Sequence, residues 1–223
     1  MMNADWILAG ERVVARAGGT LFWPAARALA VGDLHLGRAA AAARRGAGFL
    51  PPYGDTDTLD RLAAEVAATD PVRIVLVGDS FDDAAGAEAD AAALAARLEA
   101  LAAGRALDWV AGNHDPRPVA GLPGHWCAER RLGPFVFRHI AAPTPPEPGT
   151  AEISAHYHPR AEVWRRGACV RRRCFLVDRC RAILPAFGTF TGGLDARDPA
   201  LRPLMGEGAA ALMVGQRVVP LRL

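Results

Sequence analysis

The chain has 223 residues, 51% of them hydrophobic, which is enough for one domain with a sizeable core. All 26 of its basic side chains are arginine, and 24 acidic ones leave a formal net charge of only +2; general polyanion binding by overall charge is excluded, and any basic patch must be local. No apolar run reaches the ~18 residues of a membrane span, and Met1 to Gly10 lacks the basic segment and long apolar core of a leader, so the expected setting is the cytoplasm with no membrane partner.

Residues 5 to 32 read as short strands. Trp6-Ile7-Leu8, Val13-Val14-Ala15 and Leu21-Phe22-Trp23 are separated by Ala9-Gly10 and Gly18-Gly19, which suit tight turns. Ala28 to Val31 is a fourth strand, running through Gly32 into Asp33-Leu34-His35. The Ala-rich stretch Arg38 to Arg45 predicts a helix. Phe49 to Gly54 is loop, because proline and glycine break either element. Asp55 or Thr56 is expected to cap the next helix, in which Leu59, Leu62 and Val66 keep helical spacing until Asp70-Pro71.

Val72 to Val77 is a mostly apolar run that fits a buried strand and ends at Gly78-Asp79. A helix is predicted over Ala87 to Ala103, with Leu94, Leu98 and Leu101 on one face and Gly104 at its end. The strand Ala106 to Ala111 then runs into Gly112-Asn113-His114-Asp115-Pro116. Polar residues thus recur at strand ends, where open α/β sheets build their sites.

The second half changes character. Phe135 to Arg138, Ala151 to Ala155, Ala161 to Trp164, Cys174 to Val177 and Ala182 to Leu184 read as strands without long helices between them. Met213-Val214 and Val218 to Leu221 predict a last hairpin. Pro143 to Pro148 and Phe187 to Pro203 are irregular. The whole predicts one α/β domain over 1–223, two sheets packed face to face with helices outside. Cys127, Cys169, Cys174 and Cys180 form no C-x-x-C pair and read as reduced thiols.

Chemistry concentrates in five segments. Asp33 and His35 lie two residues apart in extended chain, so carboxylate and imidazole face the same side and grip one ion. His156 and His158 repeat that spacing. Asp79 offers two oxygens, enough to bridge two ions; Asn113 offers an amide oxygen and His139 another imidazole. The sum is enough for two divalent metals, and the mixed oxygen and imidazole set suits Mn, Fe or Zn better than Ca. Two such ions balance Asp33, Asp79, a hydroxide and a phosphodiester, a charge count that favours a phosphate substrate. Arg38 and Arg160 each follow a ligand segment closely and are candidates to touch substrate phosphate. Arg165, Arg166, Arg171, Arg172, Arg173, Arg179 and Arg181 crowd one stretch, as solvated strand faces or as a phosphate-tracking patch. His125, in Pro123-Gly124-His125-Trp126, is given a structural role.

D-x-H, G-D-x-x-D, G-N-H-D, H and H-x-H in this order resemble the calcineurin-like metallophosphoesterase superfamily. Gly32 to Gly37, Pro51 to Gly54, Gly112 to Pro116, Pro123 to Trp126, His156 to Pro159 and Leu184 to Gly193 are similar to its bacterial branch of ligase-associated DNA damage response phosphoesterases. The resemblance implies a four-layer α/β/β/α sandwich of two mixed β-sheets flanked by helices. It implies a dinuclear, manganese-dependent site, with one ion on Asp33, His35, Asp79 and His158 and the other on Asp79, Asn113, His139 and His156. It makes His114 the catalytic proton donor or clamp beside the phosphate, and pairs it with the Asp82 carboxylate. Ala155 stands where relatives usually carry glycine, which fits unless φ is positive there.

The expected function is phosphodiester hydrolysis on nucleic-acid ends or small nucleotide diesters in DNA repair, with a functional link to an ATP-dependent DNA ligase and a helicase implied by resemblance. The alternatives are a phosphomonoesterase or nucleotide-lipid pyrophosphatase with the same motifs, and a catalytically silent scaffold.

Overall fold

The computed structural model describes residues 2–83, 94–165 and 167–223. Strands β1 (Ala4–Leu8), β2 (Glu11–Ala15), β3 (Leu21–Trp23) and β4 (Ala28–Val31) form an antiparallel meander, and β5 (Arg73–Val77), β6 (Ala106–Val110) and β7 (His125–Cys127) continue the same sheet in parallel. The second sheet has the order β15-β14-β12-β13-β10-β9-β8. Its strands are β8 (Arg130–Leu132), β9 (Phe135–Phe137), β10 (Ala151–Ser154), β12 (Ala168–Val177), β13 (Arg181–Ile183), β14 (Ala210–Met213) and β15 (Val219–Arg222), with β11 (Arg160–Arg165) hairpinned onto β12. β10 runs parallel to β9 and β13, and the other pairings are antiparallel, so both sheets are mixed.

The two-residue period of the strands divides their side chains between layers. Ala30, Val75, Val77 and Val110 of the first sheet face Phe135, Phe137, Ile153, Phe175 and Val177 of the second, forming the inter-sheet core. Their sequence neighbours Leu29, Val31, Ile74, Leu76 and Trp109 point the other way, onto Leu59, Leu62 and Val66 of helix α2 (Gly54–Thr69) and onto Leu94, Leu98 and Leu101 of a helix described over 94–102. The remainder of the helix predicted from Ala87, and Arg166, lie outside the described residues.

The outer face of the second sheet, with Cys174, Leu176 and Ile183, is covered by Ala196, Leu201, Leu204 and Met205. That segment carries a 3₁₀ turn, Arg202–Leu204, in place of an α-helix, so this outer layer of the expected α/β/β/α sandwich is thin. β7 was absent from the sequence expectation. It is held by Trp126 stacked on Trp109 at 4.9 Å and 4° between planes, and it carries His125 at the sheet edge. Asp55 does not cap α2, which begins one residue earlier; its carboxylate instead accepts the Gly37 N–H at 3.0 Å, tying α2 to helix α1 (Arg38–Arg44). Among the described residues no helix is long and apolar enough to cross a membrane.

Candidate metal centre

The first sheet brings three loops to one end. Beyond β4 and β5 the chain keeps pairing: Asp33 N–H donates to Gly78 O at 3.3 Å, His35 N–H to Asp79 O at 2.9 Å and Leu36 N–H to Ser80 O at 2.8 Å. Asp115, buried to 1%, fastens the third loop to the second by accepting the N–H groups of Gly112, Asp79, Ser80 and Phe81 at 3.0, 3.1, 2.7 and 3.2 Å. Burial and the charge of Asp79 raise its carboxyl to about 6 despite those donors. No role was assigned to Asp115 from sequence; its signal was its place inside Gly112-Asn113-His114-Asp115.

The second sheet contributes the other wall. The fully buried Asp33 carboxylate accepts the His156 N–H at 3.1 and 3.2 Å, joining the loop after β4 to the loop after β10. The sheets meet closely here: a Cβ on Gly32 would lie 2.7 Å from that of Ala155. Ala155 does not have positive φ, so alanine sits there without backbone strain.

Three groups of donor atoms result among the described residues, and two of them hold the expected ligands. In one, His35 Nε2 lies 3.3 Å from His158 Nε2, which is 3.4 Å from Asp33 Oδ1. In the other, His139 Nε2 lies 3.2 Å from Asp79 Oδ2, 3.0 Å from Asn113 Oδ1 and 3.2 Å from His156 Nδ1. Asp33 sits between the groups, its Oδ1 also 3.8 Å from His139 Nδ1. Five of these residues, Asp33, His35, Asp79, His156 and His158, have φ between 45° and 70°, a region rare for side-chain-bearing residues and costly unless the surroundings enforce it.

The donors fit a metal. His139 Nδ1 donates to Val77 O at 3.2 Å, which leaves Nε2 facing Asp79 Oδ2 and Asn113 Oδ1; burial works against a charge there, but the Asp79 hydrogen bond and the charges of Asp33 and Asp79 raise His139, so a proton on Nε2 takes the place an ion would fill. Acceptors converging this way repel one another unless a cation or proton lies among them. Ligands about 2.1 Å from an ion at tetrahedral angles stand roughly 3.4 Å apart, close to the separations found in both groups. Burial and the charge of His139 lower His156, keeping its ring in the ligating form. Burial opposes ionisation of Asp79, but the hydrogen bond and charge of His139 outweigh it and hold the carboxyl at about 2.

His114 is in neither of these two groups, but it shares a third with His35 and the Asp82 carboxylate, whose donor atoms all lie within 4.8 Å of one another. Its Nδ1 donates to the Asp82 carbonyl oxygen at 2.8 Å, and its Nε2, 4.0 Å from Asp79 Oδ2, belongs to a side chain 35% exposed. Its ring centroid is 5.2 Å from that of His35. The Asp82 carboxylate takes other partners: His35 Nδ1 at 3.2 Å, Arg38 at 2.7 Å and Arg45 at 3.0 Å. His114 thus meets the Asp82 main chain, and the carboxylate turns toward His35, a member of the first donor group. Arg38 lies at the site through Asp82; Arg160 instead donates to Thr191 O at 3.1 Å.

Residues 26–167 match the calcineurin-like phosphoesterase family. No curated protein matches the chain. Among solved structures, the fold is similar to the crystal structure of the Pseudomonas putida nuclease MPE, with 27% identity, a TM-score of 0.75, and coverage of 98% of this chain and 100% of that one.

Proposed function

This chain belongs to the calcineurin-like phosphoesterase family and is a metal-dependent phosphoesterase, and from that premise we propose that it hydrolyses phosphodiesters of nucleic acid with two divalent ions. The observation that carries this reading is the pair of neighbouring donor groups, with the non-ligand His114 beside them. Asp33, His35 and His158 would hold one ion and Asp79, Asn113, His139 and His156 the other, with Asp79 available to both; manganese would suit this set, as would iron and zinc. Bound ions supply Lewis acidity and ionise a water near neutral pH.

The chain's own groups do the rest. Val77 O fixes the His139 tautomer, and Asp82 O fixes that of His114. With Nδ1 committed to that carbonyl, His114 presents Nε2 to the open side, where in its protonated form it donates to the leaving oxygen. Asp82 orients His35, while the surrounding loops are held by Asp33 and Asp115. The nuclease name of the structural neighbour supports nucleic acid as substrate; the DNA repair setting and the functional link to a DNA ligase and helicase rest on the sequence resemblance.

The test is manganese-dependent turnover of a bis-aryl phosphate against a mono-aryl phosphate, with Asp79→Ala and His114→Ala beside the wild type. We expect diester preference, loss of turnover in both variants, and loss of bound metal in Asp79→Ala alone. Monoester preference would move the assignment to a phosphatase, and inactivity with every divalent metal would leave a binding scaffold.

A further inference from the structure

The segment 188–193 is a wall shared by two spaces. On one side it closes over the metal centre: Gly188 N–H donates to Asp33 O at 2.9 Å, and a Cβ on Gly193 would lie 1.9 Å from His158 O. On the other side its carbonyls face arginines, Thr191 O accepting Arg160 at 3.1 Å and Gly193 O accepting Arg171 at 3.4 Å. Those arginines, with Arg172 and Arg173, line an open groove of about 220 Å³ floored by Ala17, Val214 and Gly215.

The groove has an excess of positive charge. Among the described residues the carboxylate paired there is Glu162, 3.5 Å from Arg171 Nε. Arg160 Nε is shut away from solvent without a hydrogen-bond partner. Arg173 spends one nitrogen on Ala186 O and Phe187 O at 2.8 and 3.0 Å; burial, then the charges of Arg61 and Arg160, lower its pKa to about 10. Arg172 is exposed and forms no ion pair among the described residues. Clustered guanidinium groups short of counter-charge attract phosphate oxygens, which accept two parallel N–H donors from a single fork.

Resting on the phosphodiesterase reading, we propose that this groove is a second phosphate subsite, holding a neighbouring backbone phosphate of a nucleic-acid strand whose scissile phosphate lies at the metal centre. Arg171 and Arg172 provide the accessible contacts; Arg160 and Arg173 set the field from beneath, Arg160 bracing the shared wall at Thr191 and Arg173 the chain just before it at Ala186 and Phe187. A small diester reaches the metal centre without using the groove, whereas a strand spans both.

The double variant Arg171→Ala/Arg172→Ala tests this, both side chains being exposed. Binding of a short fluorescein-labelled oligodeoxynucleotide to the full chain is followed by anisotropy across a sodium chloride series. Turnover of that oligonucleotide and of a bis-aryl phosphate is compared with manganese present. We expect the oligonucleotide Kd to rise on the order of tenfold and the salt slope to fall by roughly one per arginine removed. The ratio of kcat/KM for oligonucleotide to that for the small diester should fall similarly, and Arg171→Lys/Arg172→Lys should recover most of the loss. An unchanged Kd, slope and ratio would overturn the subsite. If the wild type hydrolyses no diester, the phosphodiesterase reading fails, and the anisotropy series still decides the groove.

Discussion

The Asp82 carboxylate faces His35 and two arginines, its Oδ1 3.2 Å from His35 Nδ1 and 2.7 Å from Arg38 and its Oδ2 3.0 Å from Arg45, while His114 Nδ1 donates to the Asp82 carbonyl oxygen at 2.8 Å. A carboxylate behind a ligand imidazole fixes its tautomer and raises its basicity, and loss of such a partner typically weakens metal binding about 10–100-fold. Asp82→Asn keeps the shape and removes the charge. We expect the manganese concentration for half-maximal turnover to rise by roughly that factor, with most of kcat recovered at saturating metal. A metal response like that of the wild type, with kcat lost at every concentration, would return Asp82 to His114.

Gly78 is a second point where backbone and ligand are inseparable. It has φ +75°, and a Cβ there would sit 2.2 Å from His139 Nδ1. Gly78→Ala therefore combines a left-handed residue, at about 1–2 kcal/mol, with a clash that must push His139 away from Val77 O, at about 1–3 kcal/mol. We expect a loss near 3 kcal/mol, roughly 6–12 °C in Tm for a domain of this size, and weaker metal binding. Calorimetry with and without manganese checks both; a variant with unaltered Tm and metal response would show that the loop relaxes freely.

The strand-end segments were readable because a short apolar run followed at once by D-x-H, G-D or G-N-H-D leaves the polar residues nowhere to go but the sheet's end, and H-x-H repeats the logic on the second sheet. What pairs with what across loops was not readable. Asp82 and His114 are 32 residues apart, and only the bridge between Leu36 and Phe81 turns the Asp82 carboxylate toward His35 and Arg38. Asp115 fell inside a recognised motif, yet its role as acceptor for four N–H groups depends on two loops meeting. β7 is three residues long, too short for a periodic signal, and its place at the sheet edge depends on pairing with β6 and on the Trp126–Trp109 stack.

Arg181 shows how the crowded arginines divide. It is 2% exposed, its Nε lies 3.0 Å from Glu152 Oε1, and it donates to Ala142 O and Thr144 O at 2.8 and 2.9 Å and to Leu204 O. It is therefore a brace under the 142–144 loop and the 3₁₀ turn. Burial already raises Glu152 against the pull of Arg181 and Arg138, and Arg181→Met would leave that carboxylate poorly paired. We expect a loss of about 3–5 kcal/mol with kcat/KM per folded molecule held within about twofold, and partial recovery in Arg181→Met/Glu152→Gln. Urea titration and active-site-normalised turnover check this; a selective fall in oligonucleotide turnover at full stability would instead place Arg181 on the substrate path.

Removing metal should loosen the end of the sandwich where both sheets meet. Asp79, Asn113 and His156 each bring a donor atom within 3.2 Å of His139 Nε2, and five residues of the centre hold left-handed φ. An ion that binds this folded arrangement and not the open chain stabilises it by RT ln(1 + [M]/Kd), about 2.7 kcal/mol at a hundredfold excess over Kd. Chelation of the loaded protein is thus expected to lower Tm by roughly 5–11 °C, and manganese added back to restore it. The change should appear first as faster amide exchange in 78–82, 112–115 and 155–158, because those loops owe their geometry to shared donors, while β5 and β12 stay protected by the inter-sheet core. Exchange that rises evenly over both sheets would mean that the ions stabilise the fold globally, and identical Tm with and without chelator would mean that these residues hold no ion.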